Sequence, residues 1–178
     1  MHALTPTAGL TKTAAYGELA HQFSSLLADE RDGLANAANL TALLFQTLPR
    51  INWVGFYFFR GGELVLGPFQ GKVACVRIAL GRGVCGTAAQ RRETVIVPDV
   101  HAFPGHIACD GASRSEIVVP LLYREQLLGV LDLDSPELAR FDSDDSDGLN
   151  SLAHQLLQKS EWDWLSRSHH ITERLQPT

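Results

Sequence analysis

The sequence predicts a single α+β domain in which helices at both ends of the chain pack on an antiparallel sheet. Three observations lead to this prediction. Apolar residues recur with helical spacing near both ends, about six strand-like segments lie between them, and a short polar turn joins the last two strands. At 178 residues the chain is long enough to bury a substantial core.

Two helices are predicted before the first strand. In the first of them, four apolar residues share one face: Leu19, Phe23, Leu26 and Leu27. Asp32 and Gly33 interrupt this pattern. A second apolar helix then runs from about Leu34 to Leu48 and ends before Pro49.

The C-terminal helix has the clearest start signal. Asp142 is placed to cap it. The negative charges of Asp144 and Asp145 stabilise the positive, N-terminal end of the helix dipole. Its apolar stripe consists of Leu149, Leu152, Ala153, Leu156 and Leu157. This stripe is expected to pack on the sheet.

The strands are predicted from runs of aromatic and β-branched residues. They cover residues 51–59, 63–67, 74–79, 94–97, 115–123 and 126–134. Gly61-Gly62 forms a turn between the first two, and Arg124-Glu125 joins the last two, which should therefore pair antiparallel. Between the third and fourth strands, the segment GRGVCGTAAQRR predicts a short helix that begins at a glycine.

The composition excludes several classes of function. A net charge of −5 argues against nucleic-acid binding, which favours a basic patch. No apolar run is long enough to cross a bilayer, and residues 1–6 lack the basic start and apolar stretch of a signal peptide. We therefore expect a cytoplasmic protein without nucleic-acid or membrane partners. Its predicted parts are a flexible N-terminus (1–14), one domain (15–160) and a C-terminal helix extension and tail (161–178).

The three cysteines are the most informative residues for function. Cys75, Cys85 and Cys109 lie close together in the chain, beside turn-forming glycines or in a loop. An odd number of cysteines fits poorly with a secreted disulfide framework, and in a reducing cytosol a disulfide is usually transient and catalytic. The pattern therefore predicts thiols that share one redox site.

Cys109 is the first candidate for the nucleophile. It lies in a long loop between Val97 and Ser115, and loops of this length in compact domains are usually functional or disordered. A reactive thiolate needs exposure and a stabilising neighbour, which His106, Arg114 or the loop amides could supply.

The other two cysteines leave their roles open. Cys85 also qualifies as a nucleophile, because a helix N-terminus lowers the pKa of a thiol. Either Cys75 or Cys85 could form a disulfide with the attacking thiol. A metal site is not expected, because His101, His106 and Cys109 lack the paired short spacing of structural zinc motifs.

Three acidic residues form a second cluster. Strand alternation places Asp132 and Asp134 on one face of the last strand, and hairpin pairing brings Glu116 level with Asp134. Like charges on one sheet face repel, so a cation or a shared proton should offset the cost. Acids with an aromatic wall, for which Trp53 and the GPFQGK loop are the leading candidates, suit a small ligand that carries an ammonium group.

Four segments occur in a set order over about residues 15–160: NWVGFYFF, LVLGPFQGKVACVRIALGRGVCGTA, PDVHAFPGHIACDGASRSEIVVPL and LLGVLDLDS. Together they resemble the free methionine-(R)-sulfoxide reductases, which are stand-alone GAF domains. The resemblance implies a GAF-like fold with a central six-stranded sheet. Its N- and C-terminal helices would pack on one face of the sheet, with ligand-binding loops on the other.

The resemblance also implies a reaction, the reduction of free L-methionine-(R)-sulfoxide to L-methionine. A thiolate attacks the sulfoxide sulfur, the sulfenic acid that results becomes a disulfide, and thioredoxin restores the thiols with NADPH and thioredoxin reductase. By resemblance, Cys109 attacks, Cys75 resolves and Cys85 holds an auxiliary position. No bound cofactor is implied, and a homodimer is expected by analogy.

The acids and the aromatic wall receive roles in the same way. By resemblance, Glu116 and Asp134 lie nearest the sulfoxide, Asp132 faces the ammonium group, and Trp53 borders the methyl-sulfur end. Sulfoxide oxygen leaves only when it is protonated or strongly hydrogen-bonded, so acids that raise each other's pKa suit this chemistry.

Two other functions stay open at this point. One is a non-catalytic GAF sensory module that binds a small amino-acid-like ligand. The other is a thiol-based peroxide sensor, which would leave the three acids unexplained.

Overall fold

Four α-helices and six strands make up the part of the chain that the structure, a computed structural model, describes: residues 5, 7, 9–105 and 111–163. In chain order they are α1 (Lys12–Leu26), α2 (Gly33–Thr47), β1 (Trp53–Arg60), β2 (Glu63–Gln70), β3 (Arg77–Ala79), α3 (Gly83–Arg91), β4 (Val95–Val97), β5 (Ser115–Tyr123), β6 (Gln126–Ser135) and α4 (Ser143–Lys159). Among these helices, none is long and apolar enough to cross a bilayer.

The six strands form one sheet in the order β3-β2-β1-β6-β5-β4, and all neighbours are antiparallel. Apolar residues of α1, α2 and α4 pack on one face of this sheet and form the larger core. A smaller apolar cluster on the opposite face includes residues of α3. The predicted α+β class, the antiparallel sheet and the terminal helices on one face are confirmed.

The hairpin of β5 and β6 forms as its short turn predicts. Arg124 and Glu125 are the two turn residues, with φ values of 50° and 64°. Positive φ at both central positions is typical of the two-residue turns whose twist matches that of the strands they join. The turn thereby sets the register next to it, where Tyr123 pairs with Gln126, and a one-residue shift between Leu121 and Leu122 changes the register for the rest of the hairpin.

The third strand differs from its prediction, because only Arg77–Ala79 pairs with β2 and Cys75 precedes the strand. Residues 71–76 are held by other contacts. The indole N–H of Trp53 binds the carbonyl of Lys72 over 3.0 Å, and the N–H of Leu66 binds the carbonyl of Val76 over 2.9 Å. These contacts hold Cys75 in an irregular segment rather than in the sheet.

Asp145 joins the first helix to the last. It closes a capping box with Asp142 at the start of α4, as expected for an acid in the first turn, but its side chain is fully buried. Arg140 donates to its Oδ1 over 2.9 Å and the Tyr16 hydroxyl over 3.0 Å, while the Lys12 ammonium donates to Oδ2. A carboxylate with this many donors is well compensated for its burial.

We predict that Asp145→Ala lowers the free energy of unfolding by about 3 kcal/mol, because it leaves the buried guanidinium of Arg140 without its carboxylate. Urea unfolding at neutral pH measures the change. Asp147→Ala, at an exposed position of the same helix, is the matched control and should change stability by about 0.5 kcal/mol or less. An equal effect of the two replacements would contradict a structural role for the Asp145 network.

Candidate active site

Three carboxyl groups meet on the sheet face that α3 covers. Asp132 and Asp134 lie on β6, and Glu116 lies on β5 directly opposite Asp134. Glu116 and Asp132 are each 6% exposed, and Asp134 is half-buried. The predicted alternation along β6 and the predicted pairing of Glu116 with Asp134 are both confirmed.

Burial favours the neutral form of these acids. It raises the pKa of Glu116 well above the usual value, and the charges of Asp132 and Asp134 raise that pKa further. Burial also raises the pKa of Asp132, to about 7. A proton shared within the cluster reduces the repulsion between its carboxylates. The site therefore holds a carboxylic acid that can donate a proton near neutral pH.

Cys85 is part of this acidic cluster. It lies in the first turn of α3, is 4% exposed, and its Sγ donates a hydrogen bond to Oδ2 of Asp132 over 3.2 Å. Sγ and one oxygen each from Glu116 and Asp132 lie within 4.8 Å of one another. These atoms could also hold a divalent cation, a set the sequence did not suggest because its members are far apart in the chain.

The predicted lowering of the Cys85 pKa by the helix N-terminus is wrong. Burial raises the pKa of this thiol well above its usual value, and the charges of Asp132 and Glu116 raise it further. The dipole of α3 is outweighed because the side chain points to buried acids rather than to water. Cys85 is therefore held as a neutral thiol.

An aromatic wall borders the acids. Trp53 lies opposite Asp134 across the β1–β6 pair, and its ring stacks on Phe69 and Tyr57 at centroid distances of 5.6 and 6.0 Å. Gly55 makes room for the indole, since a Cβ there would lie 2.5 Å from the Trp53 ring. The sequence identified Trp53 as a wall but not Gly55, whose importance depends on how the indole lies over the strand.

Cys75 packs, half-buried, against the same apolar cluster that contains Trp53 and Cys85. Cys109 and His106 lie outside the described residues, so their roles stay predictions. The structure therefore brings two of the other candidate residues, Cys85 and Trp53, next to the acids. Cys75 lies at the edge of the same cluster.

The described flanks of the long loop are anchored next to the acids. The N–H of Val100 binds the carbonyl of Arg114 over 2.9 Å, and the N–H of Arg114 binds the carbonyl of Ser135 over 2.7 Å. The amide of Asn52 donates to the hydroxyl of Ser113 over 3.0 Å. Ser135 follows Asp134 in the chain. The two flanks of the loop are therefore held next to the end of β6 that carries the acids.

Comparison with known proteins identifies the family. A GAF domain model matches residues 23–158. The free methionine-R-sulfoxide reductase of Escherichia coli (strain K12) is 53% identical over 147 residues, which cover 83% of this chain and 89% of that protein. The chain belongs to the free methionine-R-sulfoxide reductase family of GAF domains.

Two further members of the free methionine-R-sulfoxide reductase family support this assignment. The structure of the Neisseria meningitidis reductase in complex with its substrate is 50% identical, with a TM-score of 0.85, and the match covers 89% of this chain and 95% of that one. The Saccharomyces cerevisiae reductase is 51% identical over 132 residues, 71% of this chain and 73% of that protein. The resemblance found in the sequence is confirmed.

We predict that Asp132→Asn raises the free energy of unfolding at about pH 8 by on the order of 2 kcal/mol and changes it little at about pH 4. The pKa of Asp132 is raised from 3.8 to about 7 on folding. The folded state therefore binds this proton more tightly, and the stability it contributes is full below the unfolded pKa and is lost as pH rises through about 7. Asparagine keeps an acceptor for Cys85 but has no charge to bury.

Urea unfolding across this pH range is the measurement for Asp132→Asn. Asp147→Asn, on the exposed face of α4, is the control and should show no such dependence. A difference between wild type and Asp132→Asn that is the same at both pH values would contradict the raised pKa.

Proposed function

We propose that this protein reduces free L-methionine-(R)-sulfoxide to L-methionine. The observation that carries the proposal is the acidic cluster of the buried Glu116 and Asp132 with the half-buried Asp134, which lies beside the Trp53 wall in a chain of this reductase family. The alternative, a GAF sensory module that binds a similar ligand without turnover, needs no acid of raised pKa next to a thiol.

The reaction requires a thiolate and a proton donor. The Cys109 thiolate attacks the sulfoxide sulfur, and a proton from the Glu116–Asp134 pair goes to the sulfoxide oxygen. The bond between sulfur and oxygen in the substrate breaks, and the oxygen becomes bonded to the sulfur of Cys109. Methionine is released, and Cys109 is left as a sulfenic acid. Burial raises the pKa of Glu116, which supports its role as the acid.

A second thiol completes the cycle. Cys75 attacks the sulfenic acid, water leaves, and a disulfide between Cys75 and Cys109 remains. Thioredoxin exchanges its two thiols for this disulfide, and thioredoxin reductase recovers thioredoxin with electrons from NADPH. A cytoplasmic location, where this reductant keeps thiols reduced, is part of the proposal.

The preference for the free amino acid comes from Asp132. A substrate that enters this cluster with an ammonium group meets a buried carboxylate, whereas a peptide-bound methionine sulfoxide has an amide there. An amide leaves the carboxylate without a counter-charge, and a buried charge of this kind is costly. The Trp53 wall accommodates the methyl-sulfur end of the substrate.

The test is NADPH consumption with thioredoxin and thioredoxin reductase, with the R and S sulfoxides supplied both as free methionine and in N-acetylated form. Only the free R form should be turned over. Binding of free methionine sulfoxide without turnover of any form would favour the sensory module instead.

Single-turnover measurements separate the roles of the two outer thiols. We predict that Cys109→Ser releases no methionine even in one turnover, because the attacking sulfur is absent. Cys75→Ser should release one equivalent and accumulate a sulfenic acid, which a dimedone adduct on Cys109 detects by mass spectrometry. Stoichiometric methionine release by Cys109→Ser would contradict the nucleophile assignment.

The surroundings of Cys75 support a protein reductant. Val73 and Val76 flank this cysteine and are 86% and 63% exposed, which is unusual for valine. A protein that reduces a disulfide must contact the chain around it, and exposed apolar side chains favour such a contact. This segment also continues into β3, an edge strand of the sheet.

We predict that Val73→Glu raises the KM for thioredoxin about tenfold, because a charge replaces an apolar contact. Turnover driven by dithiothreitol should be unchanged, since a small reductant needs no docking surface. Leu34→Glu, at an exposed apolar position on α2, is the matched control and should leave both assays unaffected. Equal loss in the two assays with Val73→Glu would place Val73 in the chemistry rather than in docking.

A homodimer is a further part of the proposal and rests on the resemblance alone. Light scattering after size-exclusion chromatography measures the mass directly. A species at the 19.5 kDa of one chain would contradict it.

A further inference from the structure

Cys85 is fixed in place by the close approach of α3 to the edge of the sheet. A Cβ on Gly86 would lie 2.4 Å from the carbonyl oxygen of Ala79, so a larger residue there would move the helix. The N–H of Gly81 also binds the carbonyl of Gly86 over 2.8 Å. These backbone contacts hold the first turn of α3 where the sulfur of Cys85 reaches Asp132.

Cys85 donates its hydrogen bond to only one of the two carboxylate oxygens of Asp132. Oδ2 accepts from Sγ, whereas Oδ1 is buried and has no hydrogen-bond partner among the residues that the structure describes. A buried carboxylate oxygen without a partner is costly. It therefore indicates a place that the donor group of a ligand fills.

Cys85 is suited to donate this bond and poorly suited to resolve a sulfenic acid. Burial and the neighbouring acids raise its pKa, so the sulfur stays protonated. Attack on a sulfenic acid or a disulfide requires a thiolate and access, and Cys85 is 4% exposed.

We propose that Cys85 is a positioning residue whose thiol donates to Oδ2 of Asp132 and keeps Oδ1 of the same carboxylate directed at the ammonium group of the substrate. The identity of that substrate rests on the proposed function. The hydrogen bond from Cys85 and the orientation of the Asp132 carboxylate do not depend on the proposed function.

The same bond also affects the pH dependence of binding. Burial raises the pKa of Asp132, while the hydrogen bond from Cys85 lowers it, as does a hydrogen bond with Glu116. The titratable groups around Asp132 are Cys85 from α3, Glu116 from β5 and Asp134 on its own strand, while β1 opposes it with Gly55. Since an ammonium group binds the ionised carboxylate, loss of the Cys85 donor should move the acidic limb of binding to higher pH.

The experiment compares Cys85→Ser with Cys85→Ala. Both replacements remove the sulfur, so any role in electron transfer is lost equally, but only serine keeps a donor near Asp132. We expect Cys85→Ser to retain the KM of the wild type within about threefold and Cys85→Ala to raise it about tenfold, with kcat little changed in both. The pH profile of kcat/KM should shift upward on its acidic side in Cys85→Ala alone.

Binding of L-methionine by isothermal titration calorimetry gives a readout without turnover. Weaker binding by Cys85→Ala than by Cys85→Ser supports the positioning role, even if the wild type failed to reduce any sulfoxide and the proposed function fell. Equal behaviour of the two variants, whether both match the wild type or both lose activity with thioredoxin, would overturn it. A disulfide that contains Cys85, found by peptide mapping of the wild type during turnover, would also overturn it.

Discussion

The position of β6 between β1 and β5 is the constraint on which the rest of this structure depends. β6 is paired on both sides, and its side chains alternate between the larger core and the acidic face. A slip of one residue would bring Asp132 and Asp134 into the apolar core and expose the leucines between and before them to α3. The apolar packing of three helices on one face thus determines which residues are available for chemistry on the other.

Burial is what makes the acidic face chemically useful. Carboxyl groups at the surface would stay ionised at neutral pH and could not protonate a weak leaving group. Here the sheet, α3 and the aromatic wall exclude water, and the pKa values of Glu116 and Asp132 rise as a consequence. The same burial raises the pKa of Cys85, so one physical effect favours the neutral form of both the acids and this thiol.

Local signals in the sequence predicted most of the fold. The turn at Arg124-Glu125 and the alternation along β6 predicted that Glu116 lies near the acids of β6, but its exact partner depends on a register shift. The register at the turn would set Glu116 opposite Leu133, and the shift between Leu121 and Leu122 brings it opposite Asp134. The partners of Cys85 could not be predicted in this way, since they depend on how closely α3 approaches the sheet.

Asp145 illustrates the same limit elsewhere in the molecule. Its capping role is visible in the sequence, but its partner Lys12 lies on a distant helix and only the packed structure brings the two together. Cys75 was expected in a strand because its neighbours are β-branched. The contacts of the Trp53 indole with the preceding turn hold that segment outside the sheet.

The most unfavourable backbone of the hairpin formed by β5 and β6 lies at its turn, far from its acidic residues. Arg124 and Glu125 carry side chains in a region of φ that suits Asn and Gly, and they lie at the opposite end of the hairpin from Glu116 and Asp134. Arg92 binds only the backbone carbonyl of Glu125, so this contact survives a change of side chain. An engineer who wants a more heat-resistant version of this scaffold can therefore start at this turn without disturbing the acidic face.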